Sequence, residues 1–420
     1  MNIWILNHYS VPQKYYYLAR SYNFAQQLMK KGHRVTVFAA SSVHNSDVNL
    51  ITGDEQYREM EEDGIHYVLF RARQYAGSGK DRVINHIDCA RKMERLCPGF
   101  TGKYGKPDII FASAGQSLTL VAGIRLAKKL GVPCVCEVTD LWPESFVAYG
   151  LISRKNPLLG LLYAGERWIY KNADALIFSM EGGRDYIIDR GWDKAHGGPV
   201  DLDKVYHINN GVDLAAFDHN KTHCVLPDAD LDDPDTFKVV YTGSIRKVND
   251  LSALIGAAEI LEARGENRIK LIVYGDGDER EALSRCAEDK GLKNICFKGK
   301  VDKRFIPSIV SRANLTLLHW RPTPIEKYGM SMNKLFDYLA GGRPVLANSV
   351  PAYDLIKKYD CGLSDNITES VQYADDILRI AHMDGEEYKK LCLNARRAAG
   401  EYDFKVLCDK LLDVFSRCLS

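Results

Sequence analysis

The sequence lacks any long apolar run. Its apolar stretches fall well short of the roughly 18 residues that a membrane-spanning helix needs. Residues 1–8 are also too short for the apolar core of a signal peptide, and polar residues follow them at once. We therefore expect a cytoplasmic protein that meets a membrane only at its surface.

An excess of charge of either sign is also absent. The chain has 56 lysines and arginines against 55 aspartates and glutamates, a formal net charge of +1. This balance gives no general attraction to nucleic acid, which we do not expect as a partner. An anionic ligand must instead meet a local group of cations.

The eleven cysteines are scattered, and Cys134 and Cys136 are the only close pair. No spaced set of cysteine and histidine is typical of a zinc site, and an odd number does not complete a disulfide framework. We expect reduced thiols, as in the cytoplasm, and no metal.

The 420 residues, 46% of them hydrophobic, suffice for two globular domains. Short apolar runs alternate with amphipathic stretches, which is typical of parallel sheets covered by helices. We predict an α/β fold with two doubly wound, Rossmann-like domains that bind ligands at the carboxyl ends of their strands. The predicted strands are 3–6, 34–39, 67–70, 109–112, 134–138, 175–178, 205–208, 238–242, 270–274, 295–297, 315–318 and 343–348. The predicted helices are 18–31, 82–96, 118–130, 158–170, 251–263, 279–290 and 332–340.

Residues 328–347 combine a turn, a helix and a buried strand. Gly329 allows a sharp turn, and Ser331 is a good N-cap for the helix over 332–340. Free amides at such a helix start can hold an anion.

The same helix has two different faces. Leu335 and Leu339 share the face that we expect to be buried, and Asn333 and Asp337 share another. The carboxylate of Asp337 can accept hydrogen bonds from a diol. A helix start that can hold a phosphate and a carboxylate that can bind the ribose diol together indicate a nucleotide site.

Three further loops of the second half follow predicted strands. Gly243 leads to Arg246 and Lys247, which are cations suited to a diphosphate. A Gly-x-Gly turn lies at 275–277, and a third loop lies at 297–301. Each loop alone is also typical of an ordinary solvated turn, and only their combination indicates a nucleotide site.

In order and spacing, these motifs resemble those of the family-four retaining glycosyltransferases. The second half contains Gly-Ser-Ile-Arg, Gly-Asp-Gly, Phe-Lys-Gly-Lys-Val and Tyr-Gly-Met-Ser-Met-Asn-Lys-Leu-Phe-Asp-Tyr. The first half adds Asp-Leu-Trp-Pro-Glu at 140–144, Asn-Ala-Asp-Ala at 172–175 and Asn-Gly-Val-Asp at 210–213. The resemblance covers nearly the whole chain. It is greatest to the branch that builds surface polysaccharides, similar to L-fucosamine transferases.

The resemblance implies a GT-B fold, with an acceptor-side domain at 1–215 and a donor-binding domain at 216–401. A last helix over 402–420 is implied to pack back on the first domain. Between the halves, residues 227–235 are acidic and contain two prolines, so we interpret them as a surface connection.

The implied reaction transfers a sugar from a nucleotide-sugar donor, which is implied to be UDP-linked. The implied acceptor is a polyprenyl-diphosphate-linked glycan at the inner face of the cell membrane. Cations and helix amides would stabilise the leaving diphosphate, without a metal or other cofactor. The candidate catalytic residues are Asp140, Arg246, Lys247 and Lys334. The candidate donor-binding residues are Gly243, Ser244, Gly275, Gly277, Lys300, Val301, Glu326, Tyr328, Gly329, Met330, Ser331, Asn333 and Asp337.

The chain departs from the family pattern at one position. Many members carry two glutamates separated by seven residues. Gly329 occupies the first position, and Asp337 occupies the second as a shorter acid. Glu326, on the preceding loop, is one candidate to replace the first acid.

The first-half candidates follow predicted strands. Asp140 could orient an acceptor hydroxyl, although an aspartate there is also typical of a capping residue. His8, Tyr9, Lys80 and Arg82 are the candidate acceptor contacts. Residues 71–95 hold seven basic residues against three acids, which suits a lipid diphosphate at an anionic membrane. A solvated charged face and a satisfied buried histidine are the competing interpretations.

Two other functions remain open from the residues alone. A UDP-sugar epimerase has the same two-domain fold, but it needs acids and a histidine along its cleft. A catalytically weak subunit that only binds a nucleotide-sugar is the other alternative.

Overall fold

The computed structural model describes residues 1–44, 46–75, 77, 79–113 and 117–420. It divides into two compact units. The first comprises Met1–Asn209 with Leu407–Ser420, and the second comprises Asn210–Val406. The expected domain boundary, residue 215, lies six residues beyond Asn209.

The first unit is built on an eight-stranded sheet with the order β3-β4-β2-β1-β5-β6-β7-β8. All neighbouring strands are parallel except the antiparallel pair β3 and β4. The strands are β1 Asn2–Leu6, β2 Arg34–Ala40, β3 Tyr57–Glu62, β4 Ile65–Phe70, β5 Ile109–Ser113, β6 Cys134–Val138, β7 Ala175–Phe178 and β8 Val205–His207. The helices are α1 Ala19–Lys30, α2 Lys80–Leu96, α3 Thr101–Tyr104, α4 Ser117–Leu130, α5 Glu144–Ala148, α6 Leu158–Asn172 and α7 Gly183–Asp189.

The central strands β1, β5 and β6 are buried along their whole length, as expected for parallel strands covered on both faces. Because burial is continuous, these strands have apolar sequences, and these apolar runs predicted them. The edge strand β3 was not predicted. Its sequence, Tyr-Arg-Glu-Met-Glu-Glu, is mostly polar, because only one edge of it pairs with the sheet.

The second unit is built on a six-stranded, wholly parallel sheet with the order β11-β10-β9-β12-β13-β14. Its strands are β9 Phe237–Thr242, β10 Ile269–Tyr274, β11 Ile295–Gly299, β12 Leu315–Leu318, β13 Val345–Ala347 and β14 Gly362–Ser364. Its helices are α8 Leu214–His223, α9 Ala229–Asp232, α10 Ser252–Ala263, α11 Arg280–Asp289, α12 Ile306–Arg312, α13 Asn333–Gly341, α14 Leu355–Tyr359, α15 Ser370–Ala381 and α16 Gly385–Glu401. The short strand β14 was also missed, because three residues are too few for a period.

The last helix, α17 Phe404–Leu419, belongs to the first unit from Leu407 onward. Phe415 packs edge-on against Phe111 of β5, with 5.6 Å between ring centres. Asp409 accepts a hydrogen bond from Lys31 at 2.5 Å. In the described part of the chain, no helix has both the length and the hydropathy needed to cross a bilayer.

The interpretation of residues 227–235 as a mere surface connection is wrong. Asp228 accepts a hydrogen bond from the hydroxyl of Tyr274 at 2.6 Å and pairs with Lys298 at 2.9 Å. Asp230 also pairs with Lys298, at 2.5 Å, and Leu231 is buried in a small apolar cluster. The acids therefore neutralise cations of neighbouring strands, and the segment is part of the second unit.

Candidate active site

Three loops at the carboxyl edge of the second sheet are hydrogen-bonded to one another. The amide of Gly243, after β9, donates to Tyr274 O at 3.0 Å. The amide of Ile245 donates to Asp276 O at 2.9 Å. The amide of Gly275, after β10, donates to Gly299 O of β11 at 2.8 Å. The three predicted loops therefore lie side by side where ligands bind in open parallel sheets.

The Gly-x-Gly turn is required by this contact between loops. A Cβ at Gly275 would lie 1.7 Å from Gly243 O, and a Cβ at Gly277 would lie 2.1 Å from Ile245 O. Gly275 also has a φ of 153°, which side chains rarely adopt. Both glycines therefore let the β10 loop reach the β9 loop, whether or not a ligand approaches.

Lys334, in the first turn of α13, points its amino group at the β9 loop. Its Nζ donates a hydrogen bond to the hydroxyl of Tyr241 at 2.8 Å and lies 4.3 Å from the ring centre. A Cβ at Gly243 would lie 2.9 Å from the same nitrogen. Burial lowers the pKa of Lys334 to about 7.

In the described residues, no carboxylate pairs with Lys334, and its one side-chain hydrogen bond goes to Tyr241. Desolvation without a counter-ion is costly for a cation. An anionic ligand against the β9 loop would remove that cost, because a charge-assisted hydrogen bond favours the protonated amine.

Arg246 and Lys247 lie on the exposed part of the β9 loop, and Ser244 beside them is exposed as well. The Ser244 carbonyl accepts a hydrogen bond from Tyr241 at 2.8 Å, which fixes the loop next to Lys334. Lys300, after β11, is also exposed. Val301 packs on an apolar cluster, so its side chain serves the core.

The predicted faces of α13 are confirmed. Leu335 and Leu339 are buried, Asn333 is exposed and Asp337 is half-buried. Desolvation raises the pKa of Asp337, and Lys303 nearby opposes that rise. Lys303 was not singled out in the sequence, because it lies thirty-four residues from Asp337.

The prediction that Ser331 caps α13 is wrong. The helix begins at Asn333, its N-cap is Met332, and no side chain caps it. Ser331 Oγ instead accepts a hydrogen bond from the amide of Asn210 at 3.1 Å, and the side chain of Asn210 donates to Ser331 O at 2.8 Å. Ser331 therefore ties the loop before α13 to the start of the second unit.

Glu326 is committed to its own loop. It lies in a short 3-10 helix, Pro324–Tyr328, where one carboxylate oxygen accepts from the amide of Thr323 and the other accepts from Ser349 Oγ at 2.6 Å. Tyr328 is buried, Gly329 turns the chain with a φ of 86°, and Met330 lines a small cavity with Trp320. Glu326 holds this loop, and both of its oxygens already have partners.

In the first unit, a buried group of aromatic rings follows β1. His8 has no exposed surface, and its Nε2 is bonded to Asn85 Oδ1 at 2.7 Å. The Tyr9 hydroxyl lies 2.9 Å from His86 Nε2 and accepts from Arg82 at 3.1 Å. His8 therefore lies behind the surface and supports the others, while Arg82 and His86 remain partly exposed.

Desolvation and nearby positive groups affect both histidines. Burial, with the neighbouring His86, lowers the pKa of His8 to about 3. Burial, with Arg82, lowers the pKa of His86 to about 4. Both rings are neutral at physiological pH. Asn85 and His86 were missed because they lie on α2, far from β1 in the chain.

Asp140 follows β6 and is exposed at the same edge of the sheet. Desolvation raises the pKa of its carboxyl. Because only β5 separates β1 from β6, roughly 10 Å separates Asp140 from the residues after β1. Lys80 is exposed at the start of α2. In the residues that the structure describes, no group of three or more histidines, cysteines and acids could hold a metal ion.

A second buried network was missed entirely. Arg20 of α1 pairs with Glu137 of β6, with 2.8 Å between Arg20 Nε and the carboxylate. The same guanidinium donates to Ile208 O at 2.7 Å, and Glu137 accepts from Ser113 Oγ at 2.5 Å. The network joins the ends of β5, β6 and β8. A charged residue inside an apolar strand was its only signal in the sequence.

Solved structures with the same architecture include two sugar-phosphate synthases and a protein in complex with UDP-glucose. Sucrose-phosphate synthase from Thermosynechococcus elongatus is 16% identical with a TM-score of 0.70, over 99% of this chain and 98% of that one. HepE from Anabaena, in complex with UDP-glucose, is 16% identical with a TM-score of 0.65, over 99% and 100%. A UDP-forming α,α-trehalose-phosphate synthase from Burkholderia xenovorans is 13% identical with a TM-score of 0.72, over 100% of both. At such identities the likeness establishes the GT-B fold alone.

Two family models match the sequence, one in each unit. Residues 19–197 match the glycosyl transferase 4-like domain. Residues 236–382 match the glycosyl transferases group 1. No curated protein sequence matches the chain. Because both models describe glycosyltransferase domains and together span most of the chain, the protein is a sugar-transferring enzyme with a GT-B fold.

Proposed function

We propose that this enzyme transfers a sugar, with retention of configuration, from a UDP-sugar to a polyprenyl-diphosphate-linked glycan in surface polysaccharide synthesis. We propose that it belongs to the surface-polysaccharide branch that is similar to the L-fucosamine transferases. The enzyme would work in the cytoplasm, at the inner face of the cell membrane. The observation that carries the donor side is the desolvated amino group of Lys334 against the β9 loop.

In this proposal the second unit holds the donor. Lys334, Arg246 and Lys247 neutralise the diphosphate, and Asp337 accepts hydrogen bonds from the ribose. The loops at 243–244, 275–277 and 300–301 contact the nucleotide, and the loop at 328–333 contacts the sugar. The complex of Anabaena HepE with UDP-glucose supports a donor of this class, since that protein has the same fold.

The chemistry is a substitution at the anomeric carbon of the donor sugar. The bond from this carbon to the diphosphate oxygen breaks, and a bond to the acceptor oxygen forms on the same face. The acceptor's proton passes to the leaving diphosphate oxygen, so no enzyme base is consumed. Negative charge grows on the diphosphate, where preorganised cations stabilise the transition state most. Asp140 orients the acceptor hydroxyl.

In the first unit, Arg82 and His86 contact the acceptor. Tyr9 and His8 hold these two side chains in position. Lys80 adds positive charge at the rim of residues 71–95. Arg82 is held in place by Tyr9, which suits a cation that meets a lipid diphosphate.

The test is a product assay with radiolabelled UDP-sugars and a synthetic polyprenyl-diphosphate-linked sugar. The expected result is labelled lipid-linked product from one UDP-sugar, with UDP released in equal amount. Conversion of the donor to its epimer without an acceptor, or donor binding with no turnover, would contradict the proposal. Calorimetry with UDP and GDP then tests the base, and UDP is expected to bind more tightly.

A further inference from the structure

The first unit exposes three leucines within eleven residues. Leu151 is 69% exposed, Leu158 is 63% exposed and Leu161 is 72% exposed. Scattered apolar residues on a surface need no explanation, but a contiguous apolar group marks a contact surface. These three lie on α6 and the loop that precedes it, and we call them the leucine patch.

The exposed side of α6 is apolar in its first two turns. Leu158, Leu161, Ala164 and Gly165 face outward, whereas the only acid of the helix, Glu166, is buried. A helix on the surface of a soluble unit normally has the opposite arrangement, with polar residues outward. The outer face of α6 is therefore built to be covered by something apolar.

The exposed charges near the leucine patch in the chain are mostly positive. Residues 145–173 contain four cations, Arg154, Lys155, Arg167 and Lys171, and all four are exposed. Glu166 is the only acid in that range, and its carboxylate is held by the hydroxyls of Tyr170 and Tyr186 at 2.7 and 2.8 Å. Arg154 pairs with Glu144 at 2.8 Å. The exposed leucines, with Lys155, Arg167 and Lys171 near them in the chain, complement a surface that is anionic outside and apolar beneath.

The position of the leucine patch also fits the proposed function. α6 follows β6, so its first turn lies at the edge of the sheet that carries Asp140. α2, which supplies Arg82, begins at this edge too, because it follows β4. α4 packs against both helices, which places them on one face of the sheet.

We propose that the leucine patch inserts into an anionic lipid surface, with Lys155 and Arg167 against headgroup phosphates. The proposal rests on the proposed function, because it supplies the surface on which a polyprenyl-linked acceptor is presented. It places the membrane contact on α6 and the loop before it, whereas the sequence-based expectation placed it on a rim at residues 71–95. A second copy of the chain fits less well, since a symmetric contact would bring like charges together.

The test uses the full chain, vesicles of phosphatidylcholine with or without phosphatidylglycerol, and flotation at low and high salt. The variant carries Leu158→Glu and Leu161→Glu. The matched control is Leu393→Glu, because Leu393 is also 72% exposed but lies on α16 of the second unit.

The wild type and the control are expected to float with the anionic vesicles, less so at high salt. The double variant should lose at least about tenfold in bound fraction, because both leucines would carry charge into the apolar layer. All three proteins should keep the same thermal midpoint and the same affinity for UDP, since the patch touches neither the core nor the donor loops.

Three results would overturn the proposal. The first is a double variant that floats like the wild type, and the second is a wild type that never floats. The third is light scattering that shows a wild-type dimer in the absence of vesicles and a monomeric double variant, since the patch would then be a subunit contact. Failure of the proposed function gives a different result. The wild type would then bind vesicles through the leucine patch but would not bind UDP.

Discussion

The amino group of Lys334 donates a hydrogen bond to the hydroxyl of Tyr241 at 2.8 Å. That hydroxyl in turn donates to Ser244 O at 2.8 Å. Tyr241 lies in β9 and is fully buried in the core, so the chain of bonds fixes both the amine and the loop. Among the residues that the structure describes, no acid pairs with this amine. A cation held in advance in this way is the kind of group that stabilises growing negative charge.

Replacing Lys334 should weaken nucleotide binding and change its pH dependence. Lys334→Gln is expected to raise the dissociation constant for UDP roughly ten- to a hundredfold, as for a lost charge-assisted hydrogen bond. In the wild type the pKa of the amine is about 7, and UDP binds the protonated form. Affinity should therefore fall, by up to about tenfold per pH unit, from about pH 7 to 9.

Calorimetry at several pH values, in buffers of different ionisation enthalpy, measures both effects. Near pH 9, the wild type is expected to take up a proton when UDP binds, and Lys334→Gln is not. Lys293→Gln, which removes an exposed lysine of the same unit, is the control and should match the wild type. A flat wild-type profile would show that Lys334 does not meet the diphosphate.

Asp337→Asn keeps the shape of the side chain and removes its charge. UDP affinity should fall roughly ten- to a hundredfold, because the hydrogen bonds to the ribose lose their charge assistance. The loss should be smaller for 2′-deoxy-UDP, which lacks one of the two hydroxyls. Asp289→Asn, at an exposed site after the β10 loop, is the control. Equal affinity of wild type and Asp337→Asn in calorimetry would remove the ribose role.

Gly275→Ala should destabilise the second unit and its donor loops. The new Cβ would lie 1.7 Å from Gly243 O, so one of the two loops must move. Overpacking of this kind costs about 1–3 kcal/mol or more. Gly385→Ala, where a Cβ meets no atom within 4 Å, should leave the free energy of unfolding nearly unchanged. Urea unfolding of both variants checks this, and similar midpoints would argue against the contact.

Acid should destabilise the first unit through His8 and His86. Their pKa values are about 3 and about 4 in the folded state, against 6.5 as the ordinary value. Between those limits the unfolded chain binds more protons, so the free energy of unfolding falls as the pH drops below about 6.5. Above that pH the two rings contribute no slope.

Urea titrations from neutral to acid pH measure the slope. His86→Gln should reduce the slope, with the rest contributed by His8, and should retain a polar partner for Tyr9. His223→Gln, at an exposed position of α8, should leave the slope unchanged. A wild-type stability that does not vary below pH 6.5 would contradict the buried neutral rings.

Transfer is expected to continue without a divalent metal. In the proposed function, Lys334, Arg246 and Lys247 offset the diphosphate charge. The turnover rate should therefore change less than about twofold in excess chelator. The product assay measures this with and without added magnesium or manganese. Complete loss of turnover in chelator, restored by either metal, would show that protein cations are not sufficient.

The sequence by itself determined most of the strands and the order of the motifs. Strands such as Cys134–Val138 and Leu315–Leu318 occur where continuous apolar runs predicted them, because parallel strands are buried on both faces. The turn at Gly275 and the two faces of α13 are equally local. They depend on backbone freedom and on a 3.6-residue period, which neighbouring residues set.

Only the tertiary structure decided what each polar group binds. Ser331 meets Asn210, 121 residues away, instead of capping its own helix. Glu326 is satisfied by Ser349, and His8 lies buried against Asn85. The sequence pattern predicted a helix at 158–170, but it did not predict that Leu158 and Leu161 are exposed. Hydrogen-bond partners and burial depend on which distant segments the fold brings together, and local sequence carries no record of them.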